Sequence, residues 1–312
     1  MLTETRARVW LNVAGMLLSA AGVSSCNSDT VGPEPSTTPS GVILAFDRRD
    51  SVVLVEAKSG TVTPFGTGGE PIAWANAALG KDGRLVSGTN YQAPDQVRTL
   101  EIPTASVRFV YLLSPGALVG STKISPDGGS MAISGLGLVV PNRFELATID
   151  LGTLELTLRW SATAEDGFLD LASIAWLPDQ SGILALAVQP QGVRVARLTF
   201  ATGALDYLTD RIGQAIDPSF DLSPDGQVIA YSRVDGRTRF ITFDGSAAPG
   251  YPETLPGTYP AFSPDGRFIA FTKRNATVPT DLEGIWIHRL SDGEEWRLLP
   301  ADSPITILLD WE

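Results

Sequence analysis

The chain has 312 residues, 43% of them hydrophobic, and its formal net charge is −12 because 35 acidic residues outnumber 23 basic ones. This composition provides enough apolar material for a sizeable core, while the acidic balance and the lack of a basic stripe argue against nucleic acid as a partner. With one cysteine and one histidine, the chain cannot form an intramolecular disulfide or a metal site built from several cysteines or histidines.

The first 25 residues have the layout of a secretory signal peptide. Two arginines precede Leu11–Gly22, an apolar run too short to span a membrane stably. Val23-Ser24-Ser25-Cys26 follows and resembles the bacterial lipobox, and this resemblance implies that Cys26 is acylated and becomes the mature N-terminus. Lipid chains on Cys26 would anchor the protein to a membrane of the bacterial cell envelope. Asn27, by analogy with the enterobacterial sorting rule, favours the outer membrane over the inner one.

Residues 26–40 are predicted to be a flexible tether, because the segment is rich in proline, serine and threonine and has no apolar period. The predicted division of the chain is a lipoprotein signal peptide at 1–25, the tether at 26–40 and a folded domain at 41–312. The tether would hold the folded domain away from the membrane surface.

A turn motif recurs along the folded domain. Its intact form is Ser-Pro-Asp-Gly, at 125–128, 223–226 and 263–266, and each copy precedes an apolar strand. Proline fixes φ, aspartate can bond its own backbone, and glycine accepts the positive φ that closes the turn. With two degenerate copies included, the turn aspartates are Asp82, Asp127, Asp179, Asp225 and Asp265. Their spacings of 45, 52, 46 and 40 residues predict the four-stranded blades of a β-propeller.

In chain order, the first blade has strands at Val42–Phe46, Val52–Glu56 and Thr61–Phe65 but lacks the inner strand that precedes the turn elsewhere. Ile305–Trp311 has the apolar character of an inner strand and is predicted to complete this blade, which leaves no open edge in the ring. The inner strands of the next five blades are predicted at 72–78, 118–124, 172–176, 216–222 and 259–262. The predicted fold is all-β, a six-bladed propeller of four-stranded antiparallel blades closed by the C-terminal strand.

These turns and strands resemble the WD40-like repeat, also called PD40, of the TolB family of periplasmic propellers. The resemblance covers about residues 42–311 and implies a six-bladed propeller of the bacterial envelope. The same repeat occurs in non-enzymatic scaffolds, in peptidase propeller domains and in some polysaccharide lyases, so the resemblance leaves the function open.

The sequence offers few residues for catalysis. His288, the sole histidine, lies in a predicted third strand and is expected to be structural. With one histidine and an acylated cysteine, a Ser-His-Asp or Cys-His nucleophile system has no spare residues, although carboxylates paired with lysine or tyrosine could still act as acid and base. No phosphate-binding loop, dinucleotide fingerprint or calcium-loop pattern appears, so we expect no cofactor and no metal.

Long loops indicate where a partner would bind. Four of them exceed tight-turn length and are predicted to share one rim: Asn90–Gln96, Gly135–Asn142, Glu165–Asp170 and Arg274–Glu283. Long loops in a compact fold are enriched in function. The candidate binding residues on this rim are Tyr91, Asp95, Asp166, Asp170, Arg274, Asp281 and Glu283.

The function expected from these observations is that of a monomeric, lipid-anchored, non-enzymatic scaffold of the envelope. It would bind a protein, peptide or glycan through the predicted rim. The alternative is an extracytoplasmic hydrolase or lyase that acts on carbohydrate or peptide. The single histidine and the lack of a nucleophile motif favour the scaffold over the enzyme.

Overall fold

The structure is a computed structural model that describes residues 38–47, 52–67, 70–71, 74–80, 83–90, 93–102, 104, 106–168, 170–208, 219–233, 235–274, 282–300 and 305–312. These residues form six four-stranded antiparallel sheets and one two-stranded ribbon. The predicted leader, Cys26 and most of the tether lie outside the described residues. Within the described part of the chain, no helix is long and apolar enough to cross a membrane.

Each four-stranded sheet is one blade, and its strands are numbered here from the channel outward. Blade 1 consists of Ile305–Trp311, Val42–Asp47, Val52–Glu56 and Val62–Pro64, and blade 2 of Trp74–Leu79, Leu85–Asn90, Ala93–Glu101 and Ser106–Leu112. Blade 3 consists of Leu118–Ile124, Ser130–Leu136, Phe144–Asp150 and Leu156–Ala162, and blade 4 of Asp170–Trp176, Gly182–Gln189, Gly192–Thr199 and Ala204–Tyr207. Blade 5 consists of Phe220–Leu222, Val228–Ser232, Thr238–Thr242 and Thr254–Leu255, and blade 6 of Gly257–Phe262, Phe268–Arg274, Leu282–Arg289 and Glu295–Arg297. The ribbon pairs Gly66–Thr67 with Glu70–Pro71, and a 3-10 helix spans Ala164–Asp166.

Blade 1 closes the ring with strands from both ends of the folded domain. Ile305–Trp311 pairs antiparallel with Val42–Asp47, and the backbones of Val42 and Glu312 exchange N–H···O bonds of 2.6 and 3.0 Å. The first strands of neighbouring blades contact one another all the way round, from blade 1 to blade 6 and back. The predicted six-bladed fold and its closure by the C-terminal strand are confirmed.

The core is divided into six layers, each between two neighbouring blades. Because successive side chains of a strand point to opposite faces, Ile43 and Ala45 pack against blade 6 whereas Leu44 and Phe46 pack against blade 2. The other four layers repeat this arrangement between the remaining pairs of blades. Every blade is thus buried on both faces, which explains why the second strands of blades 1 and 4 are mainly apolar.

The Ser-Pro-Asp-Gly turns have the geometry that the sequence predicts. In blade 3, the hydroxyl of Ser125 donates to Asp127 over 2.6 Å, and these two side chains accept the N–H groups of Ser130 and Gly129. The same bonds recur in the turns of blades 5 and 6. The three turn glycines have φ between 67° and 71°. In the degenerate turn of blade 4, Gln180 takes the glycine position at a φ of 57°.

The two ends of the propeller differ in their loops. The turns from first to second strands lie at one end, which we name the turn rim. The loops from second to third strands and the connections between blades lie at the opposite end, the loop rim. The prediction of a long loop at Asn90–Gln96 is wrong, because Asn90 still pairs with Ala93 and the third strand of blade 2 runs from Ala93 to Glu101. The strand pairing therefore continues past the apolar residues of this hairpin into the segment that the sequence assigns to a loop.

Candidate binding sites

Five of the seven predicted binding residues fall within the described ranges, where they lie on different elements near the loop rim, and the structure describes the side chains of three of them. Tyr91 and Asp281 lie outside the described residues. Arg274 and Glu283 fall within the second and third strands of blade 6, and only their backbone is described. Asp95 lies in the third strand of blade 2 and is half-buried.

The remaining two, Asp166 and Asp170, are close in sequence but have different environments. Asp166 ends the 3-10 helix and accepts hydrogen bonds from the N–H and the hydroxyl of Thr163, at 2.7 and 2.9 Å, which lower its pKa. Asp170 begins the first strand of blade 4, where burial raises its pKa although it accepts the N–H of Leu171. Both carboxylates therefore already have hydrogen-bond partners within the chain.

The loop rim carries an exposed aliphatic patch that the sequence analysis did not predict. Leu112 ends the outer strand of blade 2 and Leu118 begins the first strand of blade 3, and they are 67% and 53% exposed. Val139 and Val140, in the loop from second to third strand of blade 3, are 39% and 41% exposed. We name these four residues the aliphatic patch.

The two loops that carry the patch touch each other and are fixed in place. The N–H of Ser114 donates to the carbonyl of Leu138 over 3.5 Å. Glu145, which is fully buried, accepts the N–H of Val139 at 2.7 Å and that of Val140 at 3.1 Å. Because a buried carboxylate needs such donors, these bonds hold the loop backbone. The two valines are thus kept at the surface and cannot fold inward.

Near the turn rim, the first strand of every blade has an equivalent position, and four of these six positions line a shared recess. In five blades this position lies four residues before the turn aspartate, and its occupants are Ala78, Lys123, Ala175, Asp221 and Ala261. Asp310 takes the position in blade 1, because its hydrogen bonds match those of Asp221. Charged residues and alanines alternate round the ring, so the small alanines leave room for Asp310, Lys123 and Asp221 to converge. We name these three residues the charged cluster.

The charged cluster links blades through hydrogen bonds and one ion pair. Each of its two aspartates accepts the N–H of the following residue with Oδ1 and an N–H of the next blade with Oδ2. The donors are Leu222 at 2.9 Å and Phe262 at 2.7 Å for Asp221, and Trp311 at 3.1 Å and Leu79 at 3.0 Å for Asp310. The ammonium of Lys123 lies 2.5 Å from Oδ1 of Asp310. Among the described residues, no lysine or arginine forms an ion pair with Asp221.

Burial and neighbouring charges set the ionisation of the cluster. Burial raises the pKa of Asp221 to about 6, and the negative charge of Asp310 acts in the same direction. The positive charge of Lys123 and the two backbone N–H donors act in the opposite direction and lower this pKa. Burial lowers the pKa of Lys123, but the attraction of Asp310 and Asp221 outweighs burial and raises it above its ordinary value. Lys123 therefore remains charged at neutral pH, whereas Asp221 changes its charge near pH 6.

The charged cluster lies in a recess of about 160 Å³ at the turn rim. The rest of its lining is mostly apolar, with Ser223 and Glu312 as the further polar residues. It includes the turn prolines of four blades: Pro126, Pro178, Pro224 and Pro264. Two indole rings of the lining are fixed by N–H···O bonds, from Trp176 to the carbonyl of Lys123 at 3.0 Å and from Trp311 to that of Ser40 at 2.9 Å. The recess thus combines apolar walls with a net negative floor.

His288 lies in the third strand of blade 6, as predicted. Its ring is buried, and Nδ1 lies 3.2 Å from Oε1 of Glu295 in the neighbouring strand. Within the described ranges, no three His, Cys, Asp or Glu side chains are close enough together to hold a metal ion.

The charged cluster was not predicted from the sequence, although one signal for it was present. Lys123 and Asp221 occupy the same position relative to their turns, in strands whose other turn-proximal residues are mostly apolar. Charged residues at the same position of two propeller repeats are predicted to approach each other at the channel. The signal for Glu145 is weaker, since it is a lone acid between Phe144 and Leu146.

No protein-family model and no curated protein sequence matches the chain. Solved structures do match. TolB from Acinetobacter baumannii is 16% identical with a TM-score of 0.60 over 86% of this chain, and the chain spans 65% of that protein. A protein described as TolB from Agrobacterium tumefaciens is 18% identical with a TM-score of 0.54, covering 85% of this chain and 90% of that one. Hydrazine synthase of Kuenenia stuttgartiensis is 17% identical with a TM-score of 0.51, covering 86% and 80%. These likenesses establish a β-propeller fold resembling that of TolB.

Proposed function

We propose that this chain is a lipid-anchored, non-enzymatic binding protein of the bacterial cell envelope that holds a protein or peptide partner at its loop rim. The observation that carries the proposal is the aliphatic patch, in which four exposed aliphatic side chains stand on two contacting loops. Apolar patches on the surface of soluble domains ordinarily mark interaction sites. The patch lies on the rim where the long loops of the sequence predict binding.

The chemistry of the patch favours a protein or peptide over a glycan. Aliphatic side chains cannot bond sugar hydroxyls, which are costly to bury without hydrogen-bond partners. An apolar segment of a protein fits better, since full burial of each leucine or valine contributes about 1.5–3 kcal/mol. Arg143 and Asp166, which attract each other nearby, supply polar groups beside the patch. An apolar centre with a polar margin is typical of protein interfaces.

Cross-linking in cells tests this assignment. The full chain is purified after cross-linking as wild type and as a Leu112→Ser/Val139→Ser variant. The matched control is Val62→Ser/Leu158→Ser, whose side chains are 39% and 38% exposed but lie outside the patch. We expect a specific partner with wild type and control and its loss with the patch variant. Equal capture by all three would rule out the patch. Cleavage of a polysaccharide or peptide by the purified chain would replace binding by an enzymatic function.

The lipid anchor depends on the lipobox-like segment before Cys26 and needs its own test. Cells that produce Cys26→Ser should lose the protein from the membrane fraction, because the only thiol available for acylation is gone. Ser28→Ala, two residues further on, should remain in membranes. Density separation of the membranes then reports whether the wild type is in the outer or the inner membrane. A membrane-bound Cys26→Ser protein would show that acylation is not the anchor.

A further inference from the structure

We propose that the recess at the turn rim binds an organic cation, namely a primary ammonium or guanidinium group on an apolar body, with the cation placed against Asp221. This site lies at the opposite end of the propeller from the aliphatic patch. It does not depend on the function proposed for the loop rim, so either can fail without the other.

The charge of the recess is the first reason. The cluster holds one cation and two carboxylates, and Lys123 is in contact with Asp310 at 2.5 Å. From the described residues, Asp221 accepts two backbone N–H bonds, one on each oxygen, from Leu222 and Phe262. Each carboxylate oxygen has a second lone pair that can accept a further donor. Asp221 is therefore a partly buried anion, and a cation that entered the recess would find an acceptor without displacing Lys123.

The shape and lining of the recess are the second reason. A volume of about 160 Å³ corresponds to roughly five water molecules, which suits one group of side-chain size. The fixed rings of Trp176 and Trp311 and the turn prolines present apolar walls, and aromatic faces attract organic cations. A bare metal ion fits poorly, because it would need several oxygen ligands and, among the described residues, no three His, Cys, Asp or Glu side chains are close enough together to hold one.

The binding should depend on pH. Among the described residues, the charged groups that act on Asp221 are Lys123 on blade 3 and Asp310 on blade 1, with Glu312 close to Lys123. The equivalent positions of blades 2, 4 and 6 carry alanine and add no charge. Because burial raises the pKa of Asp221 to about 6, its carboxylate is ionised above that pH and neutral below it. Affinity for a cation should therefore fall as the pH is lowered through this value.

Calorimetric titration of the full chain tests the chemical class. The probes are phenethylamine, the uncharged 2-phenylethanol of the same shape, and the peptide acetyl-Pro-Lys-Pro-amide. We expect phenethylamine to bind at least about tenfold more tightly than the alcohol, a difference of about 1.4 kcal/mol. Tighter binding of the peptide would identify a lysine side chain as the natural group, whereas tighter binding of phenethylamine would identify a small amine. Equal binding of amine and alcohol, or binding of neither cation at millimolar concentration, would overturn the proposal.

Three variants locate the site. Asp221→Asn should weaken phenethylamine binding at least about tenfold and remove its dependence on pH. Lys123→Met should strengthen binding, since it frees the carboxylate of Asp310. Asp206→Asn, an exposed acid in the outer strand of blade 4, is the control with the same loss of charge and should bind like wild type. Circular dichroism confirms that each variant is folded. If Asp221→Asn binds the amine as wild type does, the site is refuted whatever the behaviour of Lys123→Met.

Discussion

Alanine substitutions at the turn glycines test whether neighbouring blades are packed against each other at the turn rim. Gly128, Gly226 and Gly266 have φ of 71°, 70° and 67°, so alanine meets the same left-handed strain at each, about 1–2 kcal/mol. The smaller entropy of the unfolded alanine chain offsets about 0.4–1 kcal/mol of it. The surroundings differ. A Cβ at Gly226 would lie 2.7 Å from Cγ of Pro178 on the adjacent blade, whereas nothing lies within 4 Å at Gly128.

Gly226→Ala should therefore lower the free energy of unfolding by about 1–3 kcal/mol more than Gly128→Ala, which is the range for overpacked sites. The ring of Pro178 is rigid and cannot rotate away from the new methyl group. At about 2–4 °C per kcal/mol for a domain of this size, Tm should differ by roughly 2–12 °C. Gly266→Ala should behave like Gly128→Ala, because its nearest new contact, with Pro224, is an ordinary 3.5 Å.

Urea and thermal unfolding followed by circular dichroism measure these differences. The double variant Pro178→Ala/Gly226→Ala should recover most of the additional loss, since the clashing ring is gone and directly contacting sites are not additive. Equal losses at Gly128 and Gly226 would refute the inference that the turn of blade 5 is packed against Pro178.

Three further predictions concern two buried carboxylates and the ring. In the folded protein Asp221 keeps its proton up to about pH 6, but in the unfolded chain it ionises near pH 4. The stability of wild type relative to Asp221→Asn should therefore fall by up to about 3 kcal/mol as the pH rises through this window. Urea unfolding of both proteins at each pH measures this difference. A difference that does not change with pH would show that the carboxylate is well solvated. Glu145→Gln should cost about 1–3 kcal/mol and accelerate hydrogen exchange of the two amides that Glu145 holds, while the exposed Glu155→Gln should leave both unchanged. Deletion of Ile305–Glu312 should abolish cooperative unfolding of the entire domain, and an unchanged Tm would contradict closure.

The fold could be predicted because its determinants are local. A Ser-Pro-Asp-Gly segment specifies its turn through its own side chains, and the bonds of Ser125 and Asp127 stay within six consecutive residues. Repetition of that segment then fixes the number of blades. The first blade has only three predicted strands near the N-terminus, and the apolar strand at the C-terminus belongs to no other blade. The sequence therefore predicts that this last strand completes the first blade and closes the ring.

The sites were less predictable because their determinants are distant in sequence. Lys123 and Asp310 meet although 187 residues separate them, and only the finished ring places both at the channel. Exposure of Val139 and Val140 depends on the burial of Glu145, which no local pattern specifies. Gln180 shows the limit of local rules too, since it takes the glycine position of its turn at a φ of 57°, a conformation that local rules would assign to glycine.

The pairing of Val42 with Glu312 also dictates an order in time. The two residues are 270 positions apart, and at roughly 5–20 residues per second the ribosome needs on the order of tens of seconds to make the chain between them. Throughout that interval the strand Val42–Asp47 has emerged, but its inner edge has no partner. An unpaired edge invites association with other chains. The first blade to be synthesised is thus the last to be completed, and a chaperone that shields strand edges would be needed there longest.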